Sequence, residues 1–413
     1  MSEQFVARHI RRQVLEALAE SRAVALLGAR QVGKSTLVAD LASADYPARY
    51  LSLDDEATAE IAGTDPTGFV AGITEPAAID EIQRVPRLLL AIKQRLDSNN
   101  SRGQFLLTGS ANILTLRTVP DALPGRVVYL NLWPLSQGEM QGRRETFIDN
   151  AFDGRFPAVT NAPVGRADLA PMLVTGGYPE IQRHTRRGRS QFFSSYVASI
   201  VGRDLDDVAR VRNPGSVERL LRIIAARSGA LASFDGMARE LEVAADTVRA
   251  HTKILEDLFL VYRLMPWFVN LGSREVKSPK LHIVDSGLLA HLIGADERRI
   301  VDDSAIAGTL LESFVAMELL RQSDWAAEPV RLFHYRDKQQ REVDVIIERH
   351  SGDLVGVEVK AGATPRVHDF AALRFLRDRL GPRFKAGVVL HTGAQTLPFG
   401  DRLAAVPICG LWS

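Results

Sequence analysis

Short apolar runs alternate with helical patterns between residues 22 and 135. Each run predicts one strand. The five runs are AVALLG, ARYLSL, AAID, QFLLTG and RVVYLNL. Strands that alternate with helices are typical of a parallel sheet with crossover helices, so this part of the sequence predicts an α/β domain.

The pattern becomes helical after Pro134. GGYPE at 176–180 predicts a turn, and helical spacing runs from about residue 190 to 228. Residues 234–269 predict two helices around a tight turn, followed by a pair of strands. A helix from about residue 308 opens a second α/β domain. Its strands are predicted near 331–335, 342–348, 354–360 and 386–391.

The composition limits both the class of protein and the kinds of site that the chain can form. The chain has 413 residues, of which 46% are hydrophobic and 24% charged, and this balance predicts two to four globular domains. Cys409 is the single cysteine, which excludes an internal disulfide and a thiolate metal cluster. The N-terminus lacks an apolar signal core, and no segment approaches the roughly 20 apolar residues of a membrane span. We therefore expect a cytoplasmic protein with no membrane partner.

Charge is unevenly distributed along the chain. The net charge is only +1, but residues 181–230 hold ten arginines against four acidic side chains. Such a stretch can meet the phosphates of a nucleic acid. It can equally form a solvated, salt-bridged helical surface, and charge alone leaves both interpretations open.

A glycine-rich segment follows the first predicted strand and precedes a helical stretch. It satisfies the spacing GxxxxGK[ST], which predicts a loop whose backbone N–H groups bind nucleotide phosphates at a helix N-terminus. Lys34 would neutralise the β- and γ-phosphates, and Ser35 would place its hydroxyl on Mg²⁺. The predicted ATP-binding residues of this segment are Gly28, Ala29, Arg30, Gln31, Val32, Gly33, Lys34, Ser35 and Thr36.

An acidic pair ends the third predicted strand. Asp80 would hold the Mg²⁺ shell, and Glu81 would polarise the attacking water. Chemistry is expected here because α/β sheets place ligands at the carboxyl ends of their strands. The alternative is a helix N-terminus composed of acidic residues.

Three further polar residues are candidates for the hydrolysis site. Thr108 and Ser110 follow a strand and could sense the γ-phosphate, although Thr-Gly-Ser after a strand can also be a plain turn. Arg126 precedes the fifth strand, where an arginine finger could reach a neighbouring subunit's nucleotide. Arg117 is the competing candidate for that finger, and a surface arginine is the alternative for Arg126.

These residues together resemble a large prokaryotic family of AAA-type ATPases that continue into a C-terminal domain of unknown function with a restriction-endonuclease-like core. The resemblance covers nearly the whole chain and implies ATP hydrolysis and a winged-helix segment. The motifs that carry it are GARQVGKST, DEIQRVP, LLTGSAN, LPGR with LNLWPLS, GGYPE, SPKLHIVDSGLLAHLIG, GTLLESFVAMELL, HYRDKQQREVDVIIE and VGVEVKAG.

The expected fold class is therefore α/β, with four parts. We predict an AAA-type P-loop ATPase core, a helical region, a winged helix and a C-terminal restriction-endonuclease-like α/β domain. Their predicted bounds are 1–135, 136–215, 216–300 and 301–413.

The predicted helix-turn-helix lies at residues 234–261. Its second helix would present Thr247, Arg249 and Lys253 outward, and the loop after it could form a basic wing at Arg274 and Lys277. A winged helix can also serve as a protein-packing module. The apolar positions that pack its two helices are Ala238, Leu241, Val243, Val248, Ile254 and Leu258.

Acidic residues in the last part of the chain resemble the metal site of PD-(D/E)xK nucleases. Asp344 and, after thirteen intervening residues, Glu358 are the candidate ligands of a second metal, with Lys360 beside them and Glu312 as an accessory acid. On a strand, Glu358 and Lys360 point to one face and can meet the same metal-bound water and phosphate. Surface strands show the same alternation, and a nuclease fold can persist without cleavage.

The function expected from the sequence is a DNA-binding AAA-type ATPase that uses ATP and Mg²⁺. It would act on duplex or branched DNA, such as a Holliday junction, as a homo-oligomer for which a hexameric ring is one arrangement. An ATP-dependent nuclease and a nucleotide switch that senses a partner protein are the alternatives.

Overall fold

The chain forms two compact units in the computed structural model, which describes residues 6–110, 123, 125–156, 158, 165–205, 213–268 and 278–412. The N-terminal unit contains Met1–Pro134, Tyr196–Pro214 and Lys253–Leu260. The C-terminal unit contains Leu135–Ser195, Gly215–Thr252 and Val261–Ser413. The four predicted domain bounds stay a prediction.

The N-terminal unit contains a five-stranded parallel sheet with the order β2-β3-β4-β1-β5. All five predicted strands are present. Their bounds are β1 Ala23–Leu27, β2 Arg49–Ser52, β3 Ala77–Asp80, β4 Phe105–Gly109 and β5 Val127–Asn131. Strand β1 is buried along its whole length because it pairs with β4 on one side and β5 on the other.

Five helices accompany this sheet. Asp55 and Asp65 each accept a backbone N–H in the first turn of a helix, and Pro66 occupies a first-turn position where its missing N–H has no cost. The helices are α1 Arg11–Glu20, α2 Lys34–Ser43, α3 Glu56–Thr64, α4 Pro66–Ala71 and α5 Leu88–Ser98.

The remaining described helices follow β5 in the chain. They are α6 Gln137–Gln141, α7 Phe147–Phe152, α8 Gly165–Thr175, α9 Arg186–Ser199, α10 Pro214–Ala226, α11 Phe234–Leu241, α12 Ala245–Asp257, α13 Ser286–Leu292, α14 Glu297–Asp302 and α15 Ser304–Ser323, with α16 Ala371–Leu380 further on. Short 3-10 turns occur at Ile82–Arg84, Glu180–Arg183, Val367–Phe370, Gly381–Arg383 and Ile408–Trp412, and a π-helical segment at Ile200–Asp204.

The C-terminal unit contains an eight-stranded mixed sheet with the order β12-β13-β11-β10-β9-β8-β6-β7. Strand β6 pairs with β7 and also with β8, so the hairpin after α12 belongs to the same sheet as the last strands. The strands are β6 Val261–Pro266, β7 Lys280–Ile283, β8 Val330–Arg336, β9 Glu342–Arg349, β10 Leu354–Lys360, β11 Phe384–His391, β12 Leu397–Pro398 and β13 Leu403–Pro407.

The two helices predicted around a tight turn are α11 and α12. Glu242 ends α11 with a φ of 57°, a left-handed conformation that turns the chain into α12. Leu241 and Val248 are buried and Arg249 is exposed, as the spacing predicts. The predicted wing residues Arg274 and Lys277 lie outside the described residues, as does Arg117.

No described helix is a candidate membrane span. None of the helices in the described ranges combines the length and the apolar character that crossing a bilayer requires.

Candidate functional site

The glycines of the predicted phosphate loop have specific backbone roles. Gly33 precedes α2 with a φ of 94°, a conformation that side chains disfavour. A Cβ added at Gly28 would lie 2.1 Å from the carbonyl oxygen of Leu132, so no side chain can be accommodated there. The loop therefore takes a tight path from β1 into the N-terminus of α2, as the motif predicts.

The buried side chain of Arg8 is hydrogen-bonded to this loop. Its guanidinium donates to the carbonyl oxygens of Val32 at 2.7 Å and Trp133 at 2.6 Å, and the side chain is buried. Hydrogen bonds from a charged donor are stronger than those between neutral groups. Sequence reasoning missed Arg8, because nothing in its neighbourhood along the chain indicates a contact with residues 24 and 125 positions away.

Lys34 is buried at the start of α2. Its ammonium donates to the carbonyl oxygens of Gly28 at 3.0 Å and Ala29 at 2.9 Å. The positive charge is thus held over the loop whose backbone N–H groups are predicted to bind phosphates. This arrangement can neutralise the charge of a nucleotide's terminal phosphates.

Ser35 and Asp80 are hydrogen-bonded to each other. The Ser35 hydroxyl lies 3.0 Å from Oδ1 and 2.9 Å from Oδ2 of Asp80, although 45 residues separate them in sequence. A hydroxyl and a carboxylate are hard oxygen ligands of the kind that Mg²⁺ uses beside nucleotide phosphates. The two residues predicted to hold Mg²⁺ are therefore brought together, and their donor set is suited to that ion.

Two hydroxyl groups also bond the Asp80 carboxylate. Thr108 Oγ1 donates to Oδ1 at 2.5 Å and accepts the backbone N–H of Glu81 at 2.9 Å. Tyr50, on the edge strand β2, donates to Oδ2 at 3.1 Å, and burial together with the Asp80 charge raises the pKa of its hydroxyl. Sequence reasoning missed Tyr50 because its position follows from strand order.

Glu81 has an unusual backbone conformation, with a φ of 58°. Such a conformation costs free energy in a residue other than glycine and is often found at functional sites. The amide of Gln83 donates to the Glu81 carboxylate and, at 2.7 Å, to the Ser110 hydroxyl. Gln83 is therefore a further site residue, located two positions after Glu81 in the stretch DEIQRVP.

Arg126 forms an ion pair within its own unit. Its Nε donates to the carboxylate of Asp97, near the end of α5, and this hydrogen bond holds the pKa of Asp97 below its usual range. The pair is partly exposed, with 28% of the Arg126 side chain and 42% of the Asp97 side chain accessible. The role of Arg126 as a finger stays a prediction.

The acidic residues predicted in the second α/β domain lie close together. We call Glu312 on α15, Glu342 and Asp344 on β9, and Glu358 on β10 the acidic cluster. Lys360 Nζ lies 2.6 Å from Glu358 Oε1, as expected for side chains on one face of a strand. Lys280, which sequence reasoning did not single out, donates to Glu312 at 2.6 Å and to Asp344 at 3.1 Å.

Burial and mutual repulsion shift the protonation of this cluster. Burial, and then the neighbouring charge of Asp344, raises the pKa of both Glu312 and Glu358. Burial alone would lower the pKa of Lys280, but Asp344, Glu312 and Glu342 together raise it. Within the described ranges, no three His, Cys, Asp or Glu side chains are arranged to hold a metal ion. A metal on Asp344 and Glu358 stays a prediction.

Three family models match successive parts of the chain. Residues 20–141 match an AAA domain, residues 166–299 match a domain of unknown function (DUF8612), and residues 307–411 match a second domain of unknown function (DUF4143). The first match contains the phosphate loop, the acidic pair and Thr108. The other two describe no activity.

Uncharacterized relatives also match much of this chain. An uncharacterized protein of Mycobacterium tuberculosis is 28% identical over 394 residues, covering 95% of this chain and 81% of the relative. An uncharacterized protein of Haemophilus influenzae is 23% identical over 311 residues, covering 73% of this chain and 69% of the relative.

A solved structure with a partly similar fold is a Walker-type ATPase of Pyrococcus abyssi. It has a TM-score of 0.43 and 15% identity, covering 70% of this chain and 97% of the other. A likeness at this level carries no conclusion about the present chain. The AAA domain match does not depend on this likeness, and the geometry around Lys34, Ser35 and Asp80 agrees with that match. The chain therefore contains an AAA-type ATPase domain.

Proposed function

We propose that this chain is an ATP-hydrolysing, DNA-binding ATPase that acts on duplex or branched DNA as a homo-oligomer. The observation that carries the hydrolysis part is the bonded set of Ser35, Asp80 and Thr108 next to the Lys34 ammonium. These groups come from three different elements and meet at the carboxyl ends of parallel strands, where α/β sheets bind ligands.

Each residue has a distinct role in this proposal. Lys34 and the loop N–H groups bind the phosphates, and Ser35 and Asp80 would hold Mg²⁺, which supplies charge neutralisation when bound. Glu81 positions the attacking water. Thr108 fixes both acids, because it donates to the carboxylate of Asp80 and accepts from the backbone of Glu81.

The DNA-binding part rests on the helix pair α11 and α12. Arg249 is exposed on α12, and its ion-pair partner Asp246 has a side chain that is 96% accessible. A pair this exposed is worth well under about 1 kcal/mol, so a DNA phosphate can take the place of Asp246. The proposed winged helix would therefore contact the backbone of duplex DNA.

The arginine-rich stretch supports DNA contact less directly. Several of its arginines are paired inside their own unit, for example Arg186 with Asp296 and Arg222 with Glu218. These pairs agree with a salt-bridged helical surface. The proposal consequently places the main phosphate contacts on α12 and assigns the stretch a supporting role.

ATP turnover of the purified chain, with and without junction DNA, tests the proposal. We expect Mg²⁺-dependent turnover that junction DNA stimulates and that Lys34→Ala abolishes. Turnover that occurs but ignores every DNA tested would favour the partner-sensing switch. An ATP-dependent nuclease would instead cut plasmid or junction DNA, and would need a metal at Asp344 and Glu358.

A further inference from the structure

Lys280 lies inside the acidic cluster. Only 1% of its side chain is exposed, and its ammonium nitrogen contacts Glu312 at 2.6 Å, Glu342 at 2.7 Å and Asp344 at 3.1 Å. An ammonium group has three hydrogens to donate, so three carboxylate oxygens use its whole capacity. The lysine is thus the cation around which these acids are arranged.

Most other oxygens of these acids also have donors from the chain. Asp344 Oδ2 accepts the backbone N–H of Val359 at 2.9 Å, and Glu342 Oε2 contacts Arg336 at 3.1 Å. A divalent ion such as Mg²⁺ needs oxygen lone pairs directed at it from about 2.0–2.1 Å. Each oxygen of Asp344 already accepts a hydrogen bond, Oδ1 from Lys280 and Oδ2 from Val359.

Electrostatics point the same way. A divalent cation at Asp344 would stand beside a buried ammonium group, and like charges repel strongly where water is excluded. The ion could bind only after the lysine had left the cluster. Leaving would require a fully buried side chain to move, since Lys280 begins β7, which is buried along its whole length.

We propose that the Lys280 ammonium is the resident cation of the acidic cluster and replaces the divalent metal that the resemblance to nucleases implies. The cluster is therefore closed to Mg²⁺ and Mn²⁺ in this chain. Removal of the ammonium leaves Glu312, Glu342 and Asp344 free to rearrange around a divalent cation. This inference concerns a different unit from ATP hydrolysis and does not depend on it.

The test uses the full chain without nucleotide, with Mn²⁺ as the probe and its electron paramagnetic resonance signal as the readout. The first comparison is between the parent and Asp344→Asn. We expect the same Mn²⁺ binding in both, because Asp344 holds no metal. Binding in the parent that Asp344→Asn removes would overturn the proposal.

The second comparison introduces Lys280→Met, which keeps most of the side-chain volume and removes the charge. We expect a lower thermal midpoint than in the parent in EDTA, recovery by several degrees in excess Mn²⁺, and no recovery when Asp344→Asn is added. Lys385→Met is the matched control, since it removes a partly exposed lysine paired with Asp353 elsewhere on the sheet.

Each outcome of the second comparison is decisive. A folded Lys280→Met protein that gains no Asp344-dependent Mn²⁺ binding contradicts the proposed latent site. If Lys280→Met does not fold in EDTA, the variant is refolded with and without Mn²⁺. Folding that is recovered only when Mn²⁺ is present supports the proposal. If the variant folds under neither condition, the comparison of the parent with Asp344→Asn decides.

Discussion

The side-chain amide of Gln83 connects Glu81 to Ser110, donating to the carboxylate of the first and to the hydroxyl of the second. Gln83 is buried, so its amide has few alternative positions. Its carbonyl oxygen also faces the backbone N–H of Ser110 at 3.4 Å. The residue proposed to position water is therefore itself positioned by a neighbour from the same short segment.

Gln83→Ala should lower kcat for ATP by roughly 10- to 100-fold and leave KM nearly unchanged. A misplaced Glu81 carboxylate no longer orients the attacking water, whereas the phosphate contacts of Lys34 remain. Steady-state ATPase kinetics measure both quantities. Gln104→Ala is the matched control, because the Gln104 amide only bonds Asn99 and Ser101 carbonyls away from the site. Parental kcat in Gln83→Ala would show that Glu81 needs no such support.

Lys34→Ala and Glu81→Gln should separate binding from hydrolysis. Lys34→Ala removes the charge partner of the phosphates and should weaken ATP binding. Glu81→Gln should bind ATP normally and retain it unhydrolysed, because the phosphate loop is intact. Equilibrium binding of a labelled ATP and product release over time distinguish the two. If Glu81→Gln turns ATP over at the normal rate, another carboxylate positions the water.

Thr108→Val should affect stability as well as turnover. The substitution keeps the shape of the side chain but removes one of several donors to Asp80 and the acceptor of the part-buried Glu81 N–H. Asp80 keeps its hydrogen bonds from Ser35 and Tyr50, whereas leaving the Glu81 N–H unpaired costs about 1–3 kcal/mol. Chemical unfolding monitors the loss. Thr252→Val provides the comparison, since that buried hydroxyl only supplements a helical carbonyl of Val248 and should matter less.

The sequence predicted the elements of the N-terminal sheet because each apolar run is local. The spacing within eight residues defines the phosphate loop with Lys34 and Ser35, and Asp80 is predicted separately, from the acidic pair that ends β3. Tyr50 escaped detection because its contact with Asp80 depends on β2 lying beside β3. Lys280 offered a signal that could have been used: a lysine that begins the strand KLHI, in a motif quoted for the resemblance.

Arg126→Ala should leave ATP binding intact and lower turnover on the order of 10³-fold, if its guanidinium stabilises transition-state charge across a subunit interface. Mixing Arg126→Ala with Lys34→Ala should restore part of the activity through hybrid interfaces. Asp97→Asn is the control, because it removes the ion pair and keeps the arginine, so its turnover should stay close to that of the parent. No recovery at any mixing ratio would argue against a finger that acts between subunits.

DNA should stimulate ATP turnover, and branched duplexes should do so more than linear ones. In an oligomer, several proposed winged helices can engage several arms of a junction at once, which raises the effective concentration of each contact. A single helix pair should bind duplex weakly and with little sequence preference, because Arg249 is suited to phosphates. Junction binding should also fall steeply between low and physiological salt, because bound counterions are released from the phosphates.

Arg249→Glu tests this mechanism more cleanly than reversal of Lys253. Lys253 pairs at 2.7 Å with Asp257, whose side chain is only 6% exposed, so reversal there would place two carboxylates together at a buried position.

Arg249→Glu should weaken junction binding and reduce the salt dependence by about one unit of log–log slope. ATPase activity without DNA should survive. Arg298→Glu, a more exposed helical arginine paired with Asp302, should change neither property. If Arg249→Glu binds junctions as the parent does, and turnover ignores every DNA, the partner-sensing switch is the better account.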